Sequence, residues 1–187
     1  DGLLRLLSPI LSVTADESWE FLYGQASDAP LEESVFFADF PALLPSRRDP
    51  VLERRWEKLF AVRSEITKGL EIARRNKVIG HPLEAEVLLA VEGEWQDFVQ
   101  AEWQTLKQIS IISELSACED FAALGLEPLV SEELAGLRVA VRPAAGGKCE
   151  RCWTRSLSVG QDVAHPQLCG RCSAVLIEMG DVAGSGA

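Results

Sequence analysis

The residues with the clearest chemistry are four cysteines in two pairs, Cys149-x-x-Cys152 and Cys169-x-x-Cys172, separated by sixteen residues. A tetrahedral metal ion takes four thiolates at about 2.3 Å, and a C-x-x-C turn can present two of them to one ion. Two such turns close the coordination shell, and the spacing is that of a paired-turn zinc site. Four sulfur ligands leave no open position, so the expected ion is one structural Zn2+. An iron tetrathiolate satisfies the same geometry. Two disulfides would require an oxidising compartment, and a redox C-x-x-C would require a thioredoxin-like βαβ frame that the flanking sequence lacks. The segment between the pairs offers few large apolar side chains, chiefly Trp153, Leu157, Val159, Val163 and Leu168. So small a core needs a staple, and metal binding would then be folding energy for the module. His165 reads as an ordinary loop residue, and the fifth cysteine, Cys118, as a small semi-buried thiol.

Lys148, Arg151, Trp153, Arg155 and Arg171 surround the cysteines. Basic side chains beside an aromatic suit phosphates and an unstacked base. Trp153 has two open readings, as the core of the module or as a base-stacking surface. Other chemistry is absent from the sequence. No phosphate-binding glycine loop is present, and His81, one of two histidines, has no nucleophile pattern to serve. The chain reads as non-catalytic.

Charge is unevenly placed. The 187 residues carry a formal net charge of −11, which alone argues against a nucleic-acid partner. Residues 47–77, however, hold ten basic and five acidic side chains, and residues 138–171 hold six and two. Residues 1–46 and 78–137 are strongly acidic. Two basic islands in an acidic frame point to a localised anionic contact.

Several elements must position these groups. Leu3, Leu4, Leu7, Ile10 and Leu11 have helical spacing. Thr14 and Glu17 suggest a capping box for a helix carrying Trp19 and Leu22 and stopping at Gly24. Residues 25–46 read as loop around an extended Val35-Phe36-Phe37. Asp49-Pro50 begins a long helix to about Lys77, whose apolar stripe is Leu52, Trp56, Leu59, Ile66, Leu70 and Ala73. Arg54, Lys58, Lys68 and Arg75 fall opposite that stripe as an outward basic face. After Asn76–Pro82 the period changes to two over Leu83–Val91, with Glu84 and Glu86 on a solvent face. A helix through Trp95–Leu106, a strand at Ile109–Ile112 and a strand at Leu137–Val141 complete a small α+β unit. A Gly/Ala/Ser-rich tail closes the sequence.

Lys148-Cys-Glu-Arg-Cys-Trp153 and His165-Pro-Gln-Leu-Cys-Gly-Arg-Cys172 closely resemble the zinc-binding end of bacterial-type isoleucyl-tRNA synthetases. Leu7-Ser-Pro-Ile-Leu-Ser-Val-Thr-Ala-Asp-Glu-Ser-Trp19 resembles that family's anticodon-binding helical bundle, and the stretch Trp56 to Val87, with Val62-Arg-Ser-Glu65 and Leu83-Glu-Ala-Glu-Val87, also resembles the family, in the same order. The fold class implied is a multi-part α+β chain. Residues 1–80 would be part of a helical-bundle anticodon-binding domain, 81–145 a small α+β junction, 146–180 the zinc module and 181–187 a flexible tail. The resemblance implies a fragment of a monomeric, cytoplasmic ATP-dependent ligase. Catalytic and editing domains would lie elsewhere in the polypeptide, because the HIGH- and KMSKS-type signatures and the ATP site have no counterpart here. The absence of an initiator Met and the apolar start fit a piece of something longer. The expected partner is isoleucine tRNA, met by Arg54, Lys58, Lys68 and Arg75 along the helix and by Arg151, Trp153, Arg155 and Arg171 at the metal, with no membrane partner. The cysteine spacing also resembles the zinc finger of formamidopyrimidine-type DNA glycosylases, although those begin Pro-Glu and this sequence begins Asp1-Gly2. A protein-interaction module is the third reading.

Overall fold

A computed structural model describes residues 1–23, 34–42 and 44–184. Two compact units are present, Asp1–Pro50 and Val51–Ala187. The Gly24 helix stop, the loop around Pro30 and residues 185–187 of the tail lie outside the described residues.

In the first unit, α1 (Gly2–Leu7) and α2 (Ser12–Tyr23) pack with a 3-10 turn at Val35–Phe37. Ala15, Trp19 and Val35 are buried together. The Asp16 carboxylate accepts from the Ser34 hydroxyl at 2.6 Å and the Val35 amide at 3.0 Å, which fixes the turn against α2. Two local expectations are corrected. Helix α2 starts at Ser12, so Thr14 sits inside it rather than capping it, and Val35-Phe36-Phe37 is a helical turn rather than an extended run. Ser34 supplies the reason for the second: its hydroxyl accepts from the Phe36 amide and starts the turn.

The second unit is built on α3 (Pro50–Arg75) and a four-stranded mixed sheet. The strands are β1 (Ala85–Val91), β2 (Glu114–Ala117), β3 (Leu129–Val130) and β4 (Leu137–Pro143), in the order β2-β1-β4-β3. Strand β1 runs parallel to β2 and antiparallel to β4, which is also antiparallel to β3. Leu59, Val62, Ile66, Leu70 and Ala73 of α3 form one core with Val87, Leu89 and Val139. Leu88, Ala90 and Ala140 pack with Phe121 and Cys118 on the other side. Both faces of β1 are therefore covered, and its sequence accordingly reads as a nearly continuous apolar run.

The carboxylate of Glu86 is the exception within that run. Glu86 is buried, 8% exposed, and not on a solvent face as its alternation suggested. Its oxygens accept from Arg142 Nε at 2.8 Å and Nη2 at 3.0 Å, and from Ser116 Oγ at 2.8 Å. One side chain thus joins β1, β2 and β4, and a cross-strand partner made burial tolerable.

Between the strands lie α4 (Gln96–Ala101) and α5 (Trp103–Ser110), two helices where the apolar ladder suggested one. The break is Glu102, whose carboxylate takes both Arg55 Nε at 2.5 Å and Nη2 at 2.7 Å from α3. The expected Ile109–Ile112 strand is also corrected. Residues to Ser110 are helical, Ile111 is left-handed at φ 54°, and the strand begins at Glu114. The β-branched run misled because burial of Leu106 and Ile112 against the sheet overrides local preference. At the turn after α3, His81 Nδ1 accepts from the Leu83 amide at 3.1 Å, and Glu84 accepts from the amides of Gly80 and His81. His81 is a cap.

Two predictions follow from this packing. A Cβ on Gly69 would stand 2.9 Å from Val139 Cγ1, a stiff branched side chain. Gly69→Ala should therefore destabilise the unit by about 1–3 kcal/mol in denaturant titration, although alanine is the better helix former. Arg142 foremost, with Ser116, holds the Glu86 carboxyl below the usual carboxylate range against the opposing effect of burial. Its contribution is complete above the unfolded value of about 4.3 and fades as pH falls through the lower folded value. Glu86→Gln should cost about 2 kcal/mol at neutral pH and progressively less in acid, measured by the same titration.

Candidate metal centre

After β4 the chain forms a two-stranded hairpin of β5 (Gly147–Lys148) and β6 (Arg155–Ser156), with Cys149 and Cys152 in its turn. Cys149 N donates to Thr154 O at 2.9 Å and Trp153 N to Cys149 O at 2.8 Å, closing a tight knuckle. Trp153 adopts φ 65° to complete it. Gly146, at φ 90°, admits the returning strand, because a Cβ there would lie 2.3 Å from the Ser156 carbonyl carbon. The second pair comes from a turn in which Leu168 N donates to His165 O, leading into α6 (Gly170–Gly184) with Cys172 in its first turn. Glu150 N to Gln167 O at 3.2 Å and Cys169 N to Cys149 Sγ at 3.3 Å bind the two halves.

All four sulfurs lie within 4.8 Å of one another, with Cys152 and Cys169 at 3.7 Å. A tetrahedron with 2.3 Å metal–sulfur bonds has an edge of about 3.8 Å. The cysteines are free thiols, so the arrangement fits a metal and no disulfide is formed. Burial pushes the Cys149 thiol up, but the backbone amides around it prevail and draw it down to about 6. The Cys152 thiol is likewise lowered, with Thr154 overcoming burial. Cys169 is pushed up to about 11, by burial first. The same surroundings that lower Cys149 and Cys152 favour the thiolate, the form a metal ligates. Cys149, Cys169 and Cys172 are themselves the buried centre of the module, with only Val159, Leu168 and Cys152 packed around them.

Ser113 fastens the module to the sheet. Its hydroxyl donates to Leu83 O and accepts from Arg155 N at 2.7 Å, while its own amide donates to Ala85 O at 3.1 Å. Nothing in the sequence marks this serine, since its partners are backbone groups distant in the chain.

The basic residues expected around the metal are distributed as follows. Trp153 is 61% exposed, so the module-core reading fails, and Lys148 Nζ lies 5.5 Å from its ring centroid. Arg151 and Arg171 are exposed and Arg155 is half-buried, its Nη1 donating to Gly146 O at 3.3 Å. The Arg171 guanidinium is raised chiefly by hydrogen bonding to Cys152, then by Cys172. Along α3, Arg54 and Arg75 are exposed, about 31 Å apart at 1.5 Å per residue. Lys58 and Lys68 share their side of the helix but have partners. Lys58 Nζ sits 5.5 Å from the Phe98 ring, and Lys68 Nζ binds Glu65 at 2.6 Å and Glu133 at 2.8 Å. The four therefore form a row interrupted by internal contacts.

A chain with an anticodon-binding segment and a zinc finger is what comparison with protein families gives. Residues 1–89 match the anticodon-binding domain of tRNA ligase, and residues 146–175 match the zinc finger found in FPG and IleRS. The chain is 54% identical over 96% of its length to the isoleucine–tRNA ligase of Desulfotalea psychrophila. It is 41% identical over 95% to that of Syntrophotalea carbinolica, and 40% over 94% to that of Geobacter sulfurreducens. It spans 18–19% of the length of these relatives. Over nearly its whole length the chain is similar to one stretch of isoleucine–tRNA ligases. No helix among the described residues is long and apolar enough to cross a membrane.

Removal of the metal provides the test of the centre. A high-affinity chelator should abolish amide-exchange protection across residues 146–175 while β1 and β4 remain protected. Retention of protection at Cys149 and Thr154 in the metal-free chain would contradict a metal-dependent module.

Proposed function

We propose that this chain is the tRNA-binding part of an isoleucine–tRNA ligase and holds the anticodon arm of isoleucine tRNA. ATP-dependent aminoacylation is carried out by catalytic and editing domains elsewhere in the same monomeric, cytoplasmic polypeptide. The observation that carries this reading is the presence, in order, of the anticodon-binding match and a zinc-finger match whose four cysteines converge. Residues 1–80 act as part of the helical anticodon-binding domain, 81–145 as the junction, 146–180 as the module held by one structural Zn2+ and 181–187 as a tail. Exposed apolar side chains of α1 and α2, among them Leu3, Leu6, Val13 and Phe21, support packing against further helices of the full-length enzyme.

Mechanically, Cys149, Cys152, Cys169 and Cys172 hold the ion, which supplies no chemistry beyond folding. Arg151, Arg155 and Arg171, with Arg54, Lys58, Lys68 and Arg75, offer charge to the phosphate backbone and set register without reading sequence. Trp153 presents an aromatic face to an unstacked anticodon-loop base.

The zinc-finger match extends to DNA glycosylases, so duplex DNA is the second reading. Titration of the zinc-loaded chain should show preference for isoleucine tRNA over non-cognate tRNA and duplex DNA. Arg151→Ala with Arg155→Ala should weaken tRNA binding and reduce the slope of log K against log salt by about 1–2. Unchanged affinity and slope would remove these arginines from the interface, and a preference for duplex would favour the second reading.

A further inference from the structure

A cleft of about 800 Å³ lies between the C-terminal end of α5 and the metal knuckle, where Cys152 and Cys169 of the metal centre form part of its lining, and its volume is within the size range of small-ligand sites. Its α5 wall includes Gln104, Gln108 and Ile111, and its other wall includes Arg155. Ile111 is the anomaly. It is β-branched, left-handed at φ 54° and 57% exposed. Glycine or asparagine ordinarily fills such a helix-ending position, and a β-branched residue there is strained. The side chain adds nothing to either core of the unit. Strain and exposure borne together at a cleft point to recognition.

Gln104 and Gln108 stand one turn apart on the same side of α5, exposed, and neither side-chain amide has a hydrogen-bond partner among the described residues. Each amide offers both donor and acceptor, the complement of a nucleobase edge. The charge of the cleft is small. Lys107 Nζ is bound by Glu114 at 2.8 Å, and Arg171 is exposed on the cleft wall beside the cysteines. Arg171 and Arg155, the latter half-buried with one nitrogen on Gly146 O and the Glu84 carboxylate within its field, are the cations left to face a ligand. So few available charges suit one or two phosphates rather than a tract of backbone.

Building on the tRNA-binding reading above, we propose that this cleft receives a single unstacked RNA nucleotide. Gln104 and Gln108 read the base edge, Ile111 supports the base face and Arg155 meets the phosphate. Duplex nucleic acid does not fit this arrangement, because its base edges are paired and its bases stacked.

Two variants of the zinc-loaded full chain test the assignment, with isoleucine tRNA and its single-base anticodon-loop variants as probes. Ile111→Gly should keep or raise the melting temperature, since glycine takes φ > 0 without strain, yet weaken tRNA binding at least roughly fivefold. Gln104→Ala with Gln108→Ala should flatten discrimination at one loop position while leaving the salt slope unchanged. Parent-like affinity and discrimination in both variants would overturn the cleft assignment, as would equal losses for duplex DNA. If those variants bind like the parent but the Arg151/Arg155 variant is weakened, the cleft alone fails. If the parent itself binds no tRNA, the functional reading fails with it.

Discussion

Convergence of four sulfurs on one point is the constraint on which the surface of the C-terminal module depends. The module spanning the cysteines buries almost nothing except the cysteines themselves, together with Val159 and Leu168. Without an ion, that core is too small to offset the entropy of ordering some thirty residues. An ion held there would fix the shape of the knuckle. Trp153 is forced outward in a left-handed conformation, Arg151 is left on the tip, and the returning β6 strand brings Arg155 against Ser113. The metal therefore acts through geometry, and its influence reaches the sheet through one serine.

Ion pairing leaves the net charge of −11 unchanged but decides which charges remain at the surface. Part of the acidic stretch is paired internally. Glu86 takes Arg142, Glu102 takes Arg55, Glu92 takes Arg138 and Glu133 takes Lys68. Each pair also withdraws a cation from the surface, and the long basic helix is consequently less available than its sequence suggests. Most such exposed pairs contribute little to stability. Their larger effect is on the field, because the charge they leave uncompensated includes Arg151 at the knuckle and the two ends of α3.

Local, strong signals were legible in the sequence. The cysteine spacing picked out the four residues whose sulfurs converge, and the period of α3 with its Pro50 start gave that helix to within two residues at its end. The change of period after Pro82 located β1. What could not be read depended on distant partners. Glu86 alternates like a surface residue and is buried because Arg142, 56 positions away, meets it. The break at Glu102 needs Arg55 from α3, and the Ile109–Ile112 run looks like a strand until its burial against the sheet is known. Trp153 could be core or surface on composition alone, and only the left-handed knuckle decides. Gln104, Gln108 and Ser113 carry no motif at all.

RNA affinity measured on one sample as its metal is removed and then restored tests the central claim most directly. If the ion builds the surface, isoleucine tRNA binding falls on chelation and returns with one equivalent of Zn2+, in parallel with refolding of the module. Equal affinity in the metal-free and zinc-loaded chain would contradict the account and would place the interface on α3 and the helices before it.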